Sequence, residues 1–538
     1  MKRSLSFFLL LIASLYSSAQ KNYVSQVWVA DNKDGTYKNP IIHADYSDPD
    51  VIRVGDDYYL TASSFEGIPG LQILHSKDLV NWTILSAALK RQPPFDHFSS
   101  PRHGEGVWAP ALRFRNGEFY LYYPDPDFGI YMVKAKNVAG PWTDPVLVEG
   151  GKGLIDPCPF WDDNGKAYLI HAFAGSRAGI KSVIIIKQMN AEGRKTIDEG
   201  IIVYDGHELD PTIEGPKVYK RNGWYYLFAP AGGVATGWQT VLRSKNIYGP
   251  YERKTVIDQG NTTVNGPHQG AWIDTKTGED WFMHFQDKGA YGRILHLQPL
   301  KWINDWPVIG IDKDGDGKGE PVLIHKKPNV GKMYPVITPA ESDEFNELKL
   351  GLQWQWQANP KPYWAIATGK ALRLYSYQMP DSAKNFWDIP NILMQKFPAE
   401  EFTATAKLQF NPRINGERAG IIIMGINYAS LSLHKKADGV FVSYSICKGA
   451  DKGNAEVQKI IGKIETETIH FKISVSKGAK CIFSYSTDGI NYKMLEENFI
   501  AQPGRWTGAK LGFFCTRDTT TNDSGFADLD WFRISKNE

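Results

Sequence analysis

One pattern of apolar and polar positions recurs five times in the first half of the chain. Each copy opens on a proline, continues as a short apolar strand, turns through glycine and resumes as an aromatic strand. The openings are Asp48-Pro49, Ala109-Pro110, Asp156-Pro157, Gly215-Pro216 and Gly266-Pro267. The strands that follow read DVIRVGDDYYLTAS, ALRFRNGEFYLYY, CPFWDDNGKAYLIHA, KVYKRNGWYYLFA and QGAWIDTKTGEDWFMHF. Asn116-Gly117, Asn164-Gly165 and Asn222-Gly223 predict tight hairpins in which both central residues take positive φ. A second hairpin follows, and three copies share its wording: Ser76 to Trp82, Ala135 to Trp142 and Ser244 to Tyr251. Four strands per unit, repeated at about fifty to sixty residues, predict the blades of a propeller. Five units predict a five-bladed β-propeller over residues 20–325.

The second half is patterned differently. A Lys- and Pro-rich stretch over residues 326–342 reads as a linker. From Asp343 onward, FTATAKLQF, AGIIIMGI, GVFVSYSI, HFKISVSK, AKLGFFC and FADLDWFRI alternate polar and apolar residues. Short strands at that spacing predict an antiparallel β-sandwich over residues 343–538. The chain is therefore expected to be all-β, with two domains.

Composition changes the picture only at the margins. Residues 1–19 combine Lys2 and Arg3, an apolar run and small residues up to Ala19, the layout of a cleaved signal peptide. The run is too short to anchor the chain in a bilayer. No cysteine follows Ala19 to carry a lipid, so a secreted or periplasmic protein without membrane insertion is expected. A net charge of +2 gives no electrostatic case for nucleic acid. The four cysteines are too few for a disulfide scaffold: Cys158 reads as a buried thiol, and Cys447, Cys481 and Cys515 leave room for one bridge.

Chemistry enters through the blade openings. The first strand of each blade lines the central channel, so these openings converge. Asp48, Asp156 and Glu214 bring three carboxylates there, and Trp108 and His268 fill the other two places. Any one Asp-Pro is most simply a turn. Three acids in register are not, because like charges crowded in a channel resist ionisation. Hydrolysis of a glycosidic bond uses such a set: one carboxylic acid protonates the leaving oxygen and one carboxylate acts on water or on the sugar. A third acid sustains the proton donor by like-charge coupling.

YSDPDVIRVGDDYYLTASSF, VWAPALRFRNGEFYLYY, LIDPCPFWDDNGKAYLIHA, IEGPKVYKRNGWYYLFAP and YGRILHLQPLKWINDWPVIG together make the chain resemble glycoside hydrolase family 43. Within it, the chain is similar to β-xylosidases and α-L-arabinofuranosidases that carry a C-terminal concanavalin A-like sandwich. The resemblance implies that Asp48 is the general base, Glu214 the general acid and Asp156 the group that tunes and orients that acid, with inversion at the anomeric carbon. It also implies that Arg293 contacts the sugar and that His268 helps hold a calcium ion through water, while the chemistry requires no cofactor. Phe65 and Trp108 suit an apolar face against a sugar ring, and core packing explains them as well. The long loop over residues 90–106 is expected to shape the pocket wall.

The expected substrate is a plant cell-wall oligo- or polysaccharide, from which terminal pentoses are removed, with a slight lean to arabinofuranose. A fructan-cleaving enzyme is disfavoured by Tyr46-Ser47-Asp48-Pro49 and Ile155-Asp156-Pro157. The alternative is a propeller that binds carbohydrate without cutting it. Asp312-Lys313-Asp314-Gly315-Asp316 begins like a calcium loop but lacks its closing glutamate, Leu323 standing there. Asp343 with Asp528 or Asp530 is a second candidate for structural calcium.

Overall fold

A computed structural model describes residues 23–537, so the signal-peptide expectation lies outside the described residues. Each of the five copies folds as one four-stranded antiparallel sheet, its strands paired in chain order. Blade one is Asp50–Val54, Asp57–Thr61, Gly70–Ser76 and Trp82–Leu89. Blade two is Ala111–Arg115, Glu118–Asp125, Gly129–Ala135 and Val146–Gly150. Leu154–Trp161, Ala167–Phe173, Val183–Met189 and Ile201–Asp205 make blade three. Blade four is Lys217–Arg221, Trp224–Ala231, Trp238–Ser244 and Glu252–Ile257. Blade five is His268–Asp274, Asp280–Asp287, Arg293–Ile303 and Trp306–Ile309.

Two of the three Asn-Gly turns form as expected: Asn116 and Gly117, and Asn222 and Gly223, all have positive φ. The third does not. Among its central residues only Gly165 has positive φ, and the turn spans the five residues between Trp161 and Ala167. Asp162 holds it from both ends: its N–H donates to the Lys166 carbonyl (2.9 Å) and its carbonyl accepts from Gly165 (3.0 Å). Two extra residues before the Asn-Gly pair let the loop close without a two-residue turn.

Apolar side chains fill every gap between neighbouring blades. Leu121 and Tyr123 pack with Ile73 between blades one and two, and Tyr226 and Phe228 pack with Phe282 between blades four and five. Because no sheet mixes strands from the two ends of the ring, closure between blades five and one rests on packing and lacing. Leu60 and Leu74 meet Met283 and Leu297. The segment before blade one crosses over to blade five, where Tyr37 Oη donates to the Leu297 carbonyl (2.7 Å). Asn39 donates from Nδ2 to the Leu297 and Val322 carbonyls (2.8 Å each) and accepts the Leu297 N–H (2.9 Å). Thr36–Lys38 also pairs with Ile324–Lys326.

The second half forms two packed sheets, consistent with a concanavalin A-like sandwich. One is centred on Lys510–Arg517 and Arg418–Met424, the other on Phe526–Ser535 and Phe402–Asn411. Trp354, Trp364, Phe513 and Phe532 are buried between them. All four cysteines are buried and free, so the bridge allowed for among Cys447, Cys481 and Cys515 does not form. Each of the three sits on a different strand or strand end inside a packed sheet, where it serves as a small apolar side chain. Among the described residues, no helix is long and apolar enough to cross a membrane.

The sandwich is fastened to the mouth of blades one and two. Ile68 and Trp356 exchange backbone hydrogen bonds. Asn359 clamps Gln92, accepting its N–H (2.8 Å) and donating to its carbonyl (2.9 Å). His103 stacks on Trp387, ring centroids 3.6 Å apart. The loop over residues 90–106 is thereby held against the second domain.

Because Asn39 satisfies three buried backbone groups at the closing seam, Asn39→Ala should destabilise the protein by about 3 kcal/mol. Urea unfolding of the variant against wild type measures it, and a loss below about 1 kcal/mol would mean the seam is held by packing and by the backbone bonds of Ile41, Ile42 and Tyr46 to blade five.

Candidate active site

The blade openings do converge, and they do so through an unusual backbone. Asp48 and Asp156 both have positive φ, 56° and 58°. In blade four Gly215, directly after Glu214, takes it at 57°, and in blade five Gln269, directly after His268, takes it at 39°. The left-handed region costs a residue with a Cβ about 1 kcal/mol or more, and Asp tolerates it best among charged residues. Strain at the matching position before proline in blades one and three marks a site where the surrounding fold dictates the side-chain direction, while Gly215 takes the same turn freely in blade four.

Asp48 is buried and fully engaged. Its Oδ2 accepts from Ser47 Oγ (2.6 Å) and Ser63 Oγ (2.5 Å). Arg293 Nη1 lies 3.2 Å from Oδ1 and also donates to Ser47 Oγ at 2.7 Å. Two hydroxyl donors and a guanidinium thus surround this carboxyl. Arg293 itself sits with its guanidinium 5.0 Å from the Phe285 ring centre, so the ion pair is walled off from bulk water.

Asp156 is set differently. It lies in a bulge between Ile155 and Cys158 of blade three, and its Oδ2 accepts the Gly215 N–H at 2.7 Å. Burial holds its carboxyl well above the usual carboxylate range, and the charges of Glu214 and then Asp48 push it further. The three acids therefore feel one another, as crowding in the channel requires. Glu214 is the most open of them, its side chain 23% exposed, and its Oε1 pairs with His268 Nε2 at 2.9 Å.

His268 is fully buried. Its Nε2 is committed to Glu214, and its Nδ1 has no partner and faces the backbone of Gly237, where a Cβ would lie 2.8 Å away. The ring as placed orients Glu214 through Nε2 and leaves Nδ1 unpartnered. Among the described residues, three potential ligands come together only at Asp312, Asp314 and Asp316. There Asp312 already accepts the N–H groups of Gly315 and Gly317. At the sandwich, Asp528 pairs with Arg373, Asp530 with Lys407, and Asp343 accepts from Trp354 Nε1.

Phe65 and Trp108 form the wall beside the acids, their ring centroids 6.4 Å apart and edge to face. Phe65 is held by paired backbone bonds to Val107, and Trp108 Nε1 donates to the Gly104 carbonyl at 3.0 Å. A residue that the sequence did not disclose completes this wall. Trp506, from a sandwich loop, lies 6.0 Å from the Trp108 ring and 5.9 Å from the Arg293 guanidinium. It is 45% exposed with φ of 64°, a conformation that a tryptophan adopts only when its surroundings impose it. Asp125 was also not anticipated. It is wholly buried at the end of the second strand of blade two, beside Trp108, whose N–H donates to the Pro124 carbonyl. Burial pushes its carboxyl up to about 8.

The matching family models follow the same division. Residues 37–307 match the model described as glycosyl hydrolases family 43. The chain belongs to that family. Residues 342–535 match a β-xylosidase C-terminal concanavalin A-like domain. Among its relatives is a putative β-xylosidase of Xylanibacter ruminicola, 41% identical over 90% of this chain and 87% of that protein. Another is a non-reducing end α-L-arabinofuranosidase of Bacteroides ovatus, 28% identical over 92% of this chain and 94% of that protein. A solved structure of a xylan β-1,4-xylosidase from Bacillus halodurans superposes with a TM-score of 0.81 at 25% identity, covering 93% of this chain and all of that one. The family 43 chain is thus a glycosidase.

A carboxyl whose value rises on folding stabilises the fold while protonated. That stabilisation is complete below the ordinary carboxylate range and is lost as pH climbs towards about 8 for Asp125. Asp125→Asn keeps the shape and removes the titration. Melting temperatures from pH 5 to 8 should therefore fall more steeply for wild type than for the variant, and parallel curves would show that Asp125 ionises normally.

Proposed function

We propose that this glycosidase is an exo-acting, inverting hydrolase that removes terminal pentoses, β-D-xylosyl and α-L-arabinofuranosyl, from plant cell-wall oligo- and polysaccharides. The observation that carries the reading is the unequal setting of the three channel carboxyls. Asp48 accepts hydrogen bonds from Ser47, Ser63 and Arg293, Asp156 is buried with its carboxyl held well above the usual carboxylate range, and Glu214 stands most open to a bound sugar.

In this reading Asp48 is the general base that takes a proton from the attacking water. Glu214 is the general acid that protonates the leaving oxygen on the opposite face of the ring. Burial and the neighbouring Glu214 charge hold the Asp156 carboxyl well above the usual range, which places a proton-retaining group beside the general acid. His268 orients Glu214 through the 2.9 Å contact, and Arg293 serves both Asp48 and the sugar. Phe65, Trp108 and Trp506 supply an apolar wall for the pentose ring. No step is routed through a metal. The two sugars are proposed together because the relatives include proteins named for each. Export by a cleaved leader is part of the proposal, since a polymer of plant walls is met outside the cell. A binding propeller without catalysis is the weaker reading, because all three carboxyls are present and differently set.

The test uses 4-nitrophenyl β-D-xylopyranoside and α-L-arabinofuranoside beside an unactivated xylo-oligosaccharide. Nitrophenolate leaves without a proton, so Glu214→Ala should slow the oligosaccharide by about 10³-fold or more and the aryl glycosides far less. Asp48→Ala should slow all of them by a similar large factor. NMR of the first product should show the inverted anomer. Retention would reassign Asp48 as a nucleophile, and no cleavage of any pentoside by wild type would overturn the pentosidase reading.

A further inference from the structure

The mouth of the pocket carries positive charge that the chemistry described so far does not use. Arg177 lies on the short helix Gly175–Ala178 that follows the second strand of blade three. Its guanidinium sits over the Trp108 ring, 5.2 Å from the centre. Nε is 3.5 Å from Asp127 Oδ1 and Nη1 donates to Ser176 Oγ at 3.0 Å, while Nη2 has no hydrogen-bond partner among the described residues. The side chain is 21% exposed, over a ring that lines the mouth.

Two more arginines border the same wall. Arg505 precedes Trp506 and packs over Gly104, the residue whose carbonyl holds Trp108 Nε1: a Cβ on Gly104 would lie 2.4 Å from Arg505 Cγ. Arg102 donates from Nε to the His97 carbonyl at 3.1 Å. Neither has an ion-pair partner among the described residues. The acids close by are already taken. Glu105 pairs with His97 at 2.6 Å, and Glu66 is buried against His103 and Lys510. Three guanidinium groups with Asp127 as their one ion-pair partner, 3.5 Å from Arg177 Nε, leave a net positive rim on a chain whose overall charge is only +2.

The position of this rim decides what it meets. Asp48 and Asp156 are buried at the base of the pocket, so a terminal pentose placed over them directs the rest of its chain out past Trp108. The first sugar of the leaving group then lies against Trp108 and Arg177. A planar guanidinium stacked on an aromatic ring, with one N–H edge open, suits a carboxylate.

We propose that this rim is an anion-recognising subsite for the leaving group, with Arg177 as its specificity-determining residue and Arg505 and Arg102 adding to the field. It would favour an oligosaccharide whose sugar next to the cleaved bond bears a uronic acid. The proposal rests on the hydrolase reading above and extends it from a neutral to an acidic leaving group.

The experiment compares kcat/KM for a neutral xylo-oligosaccharide with that for the same oligosaccharide carrying glucuronic acid beside the scissile bond. Wild type should prefer the acidic one by about threefold to tenfold at low salt, the range expected of a partly exposed charge pair. The preference should shrink at ~0.5 M salt. Arg177→Met keeps the stem over Trp108 and should bring the ratio close to one, and Arg177→Glu should invert it. The ratio is read within each variant, so a general loss of activity cancels. Equal kcat/KM in wild type, or a preference that survives Arg177→Glu, overturns the subsite. Cleavage of aryl pentosides by the same wild-type sample reports on the hydrolase reading separately. If no glycoside is cleaved, that reading falls, and calorimetric binding of the acidic and neutral oligosaccharides still judges the rim: equal affinities reject it.

Discussion

Acidic side chains crowded in a dry channel cannot all stay ionised, and much of this molecule is arranged around that constraint. The first strands of the blades point their openings at one axis, which brings Asp48, Asp156 and Glu214 together whether or not electrostatics favours it. The cost is divided by giving each acid a different environment. Asp48 receives two hydroxyl donors and a guanidinium. Asp156 is offered one backbone N–H and little water, and its carboxyl is held well above the usual range. Glu214 has a histidine and partial access to solvent. Three carboxyls thus sit in three different environments, which is what acid–base chemistry on one substrate needs.

Holding that arrangement requires a rigid ring. The left-handed backbone at Asp48, Asp156 and Gln269 is tolerable because each is held by the packed strands of its blade. The ring in turn depends on the seam between blades five and one, where side-chain packing is joined by backbone bonds from Ile41, Ile42 and Tyr46 to Leu295 and Arg293 and by the pairing of Thr36–Lys38 with Ile324–Lys326. Tyr37 and Asn39 lace the chain before blade one onto Leu297. The integrity of the carboxylate cluster is therefore linked to residues at the opposite end of the propeller chain.

The repeat, its turns and the three acids could be read from the sequence because they are local: a proline, an Asn-Gly pair and an aromatic strand recur within each unit. The exceptions also have physical causes. Asn164-Gly165 looked like its two counterparts, but the preceding Asp162 and Asp163 lengthened the loop and changed the turn. Asp125 gave no signal, since its burial depends on how blade two meets the loop over residues 90–106. The cysteines of the sandwich could not be sorted by spacing, because a bridge depends on Cα separation and not on chain distance.

Trp506 shows the limit most clearly and also explains the second domain. It lies some two hundred residues beyond the last blade, in a stretch with no periodicity to betray a role, and only the docking of the sandwich carries it to the pocket. That docking runs through Ile68 with Trp356, Asn359 with Gln92 and His103 with Trp387, all on segments that lead directly to Phe65 or Trp108. The same contacts that fasten the domains thus set the aromatic wall. Placing an exposed tryptophan at positive φ against Trp108 narrows one side of the mouth, which a free-standing propeller would leave open. A pocket narrowed in this way accepts a chain end more readily than the middle of a polymer. Under the proposed function, the sandwich bears on the choice of substrate through its position, while the acids of the propeller carry out the cleavage.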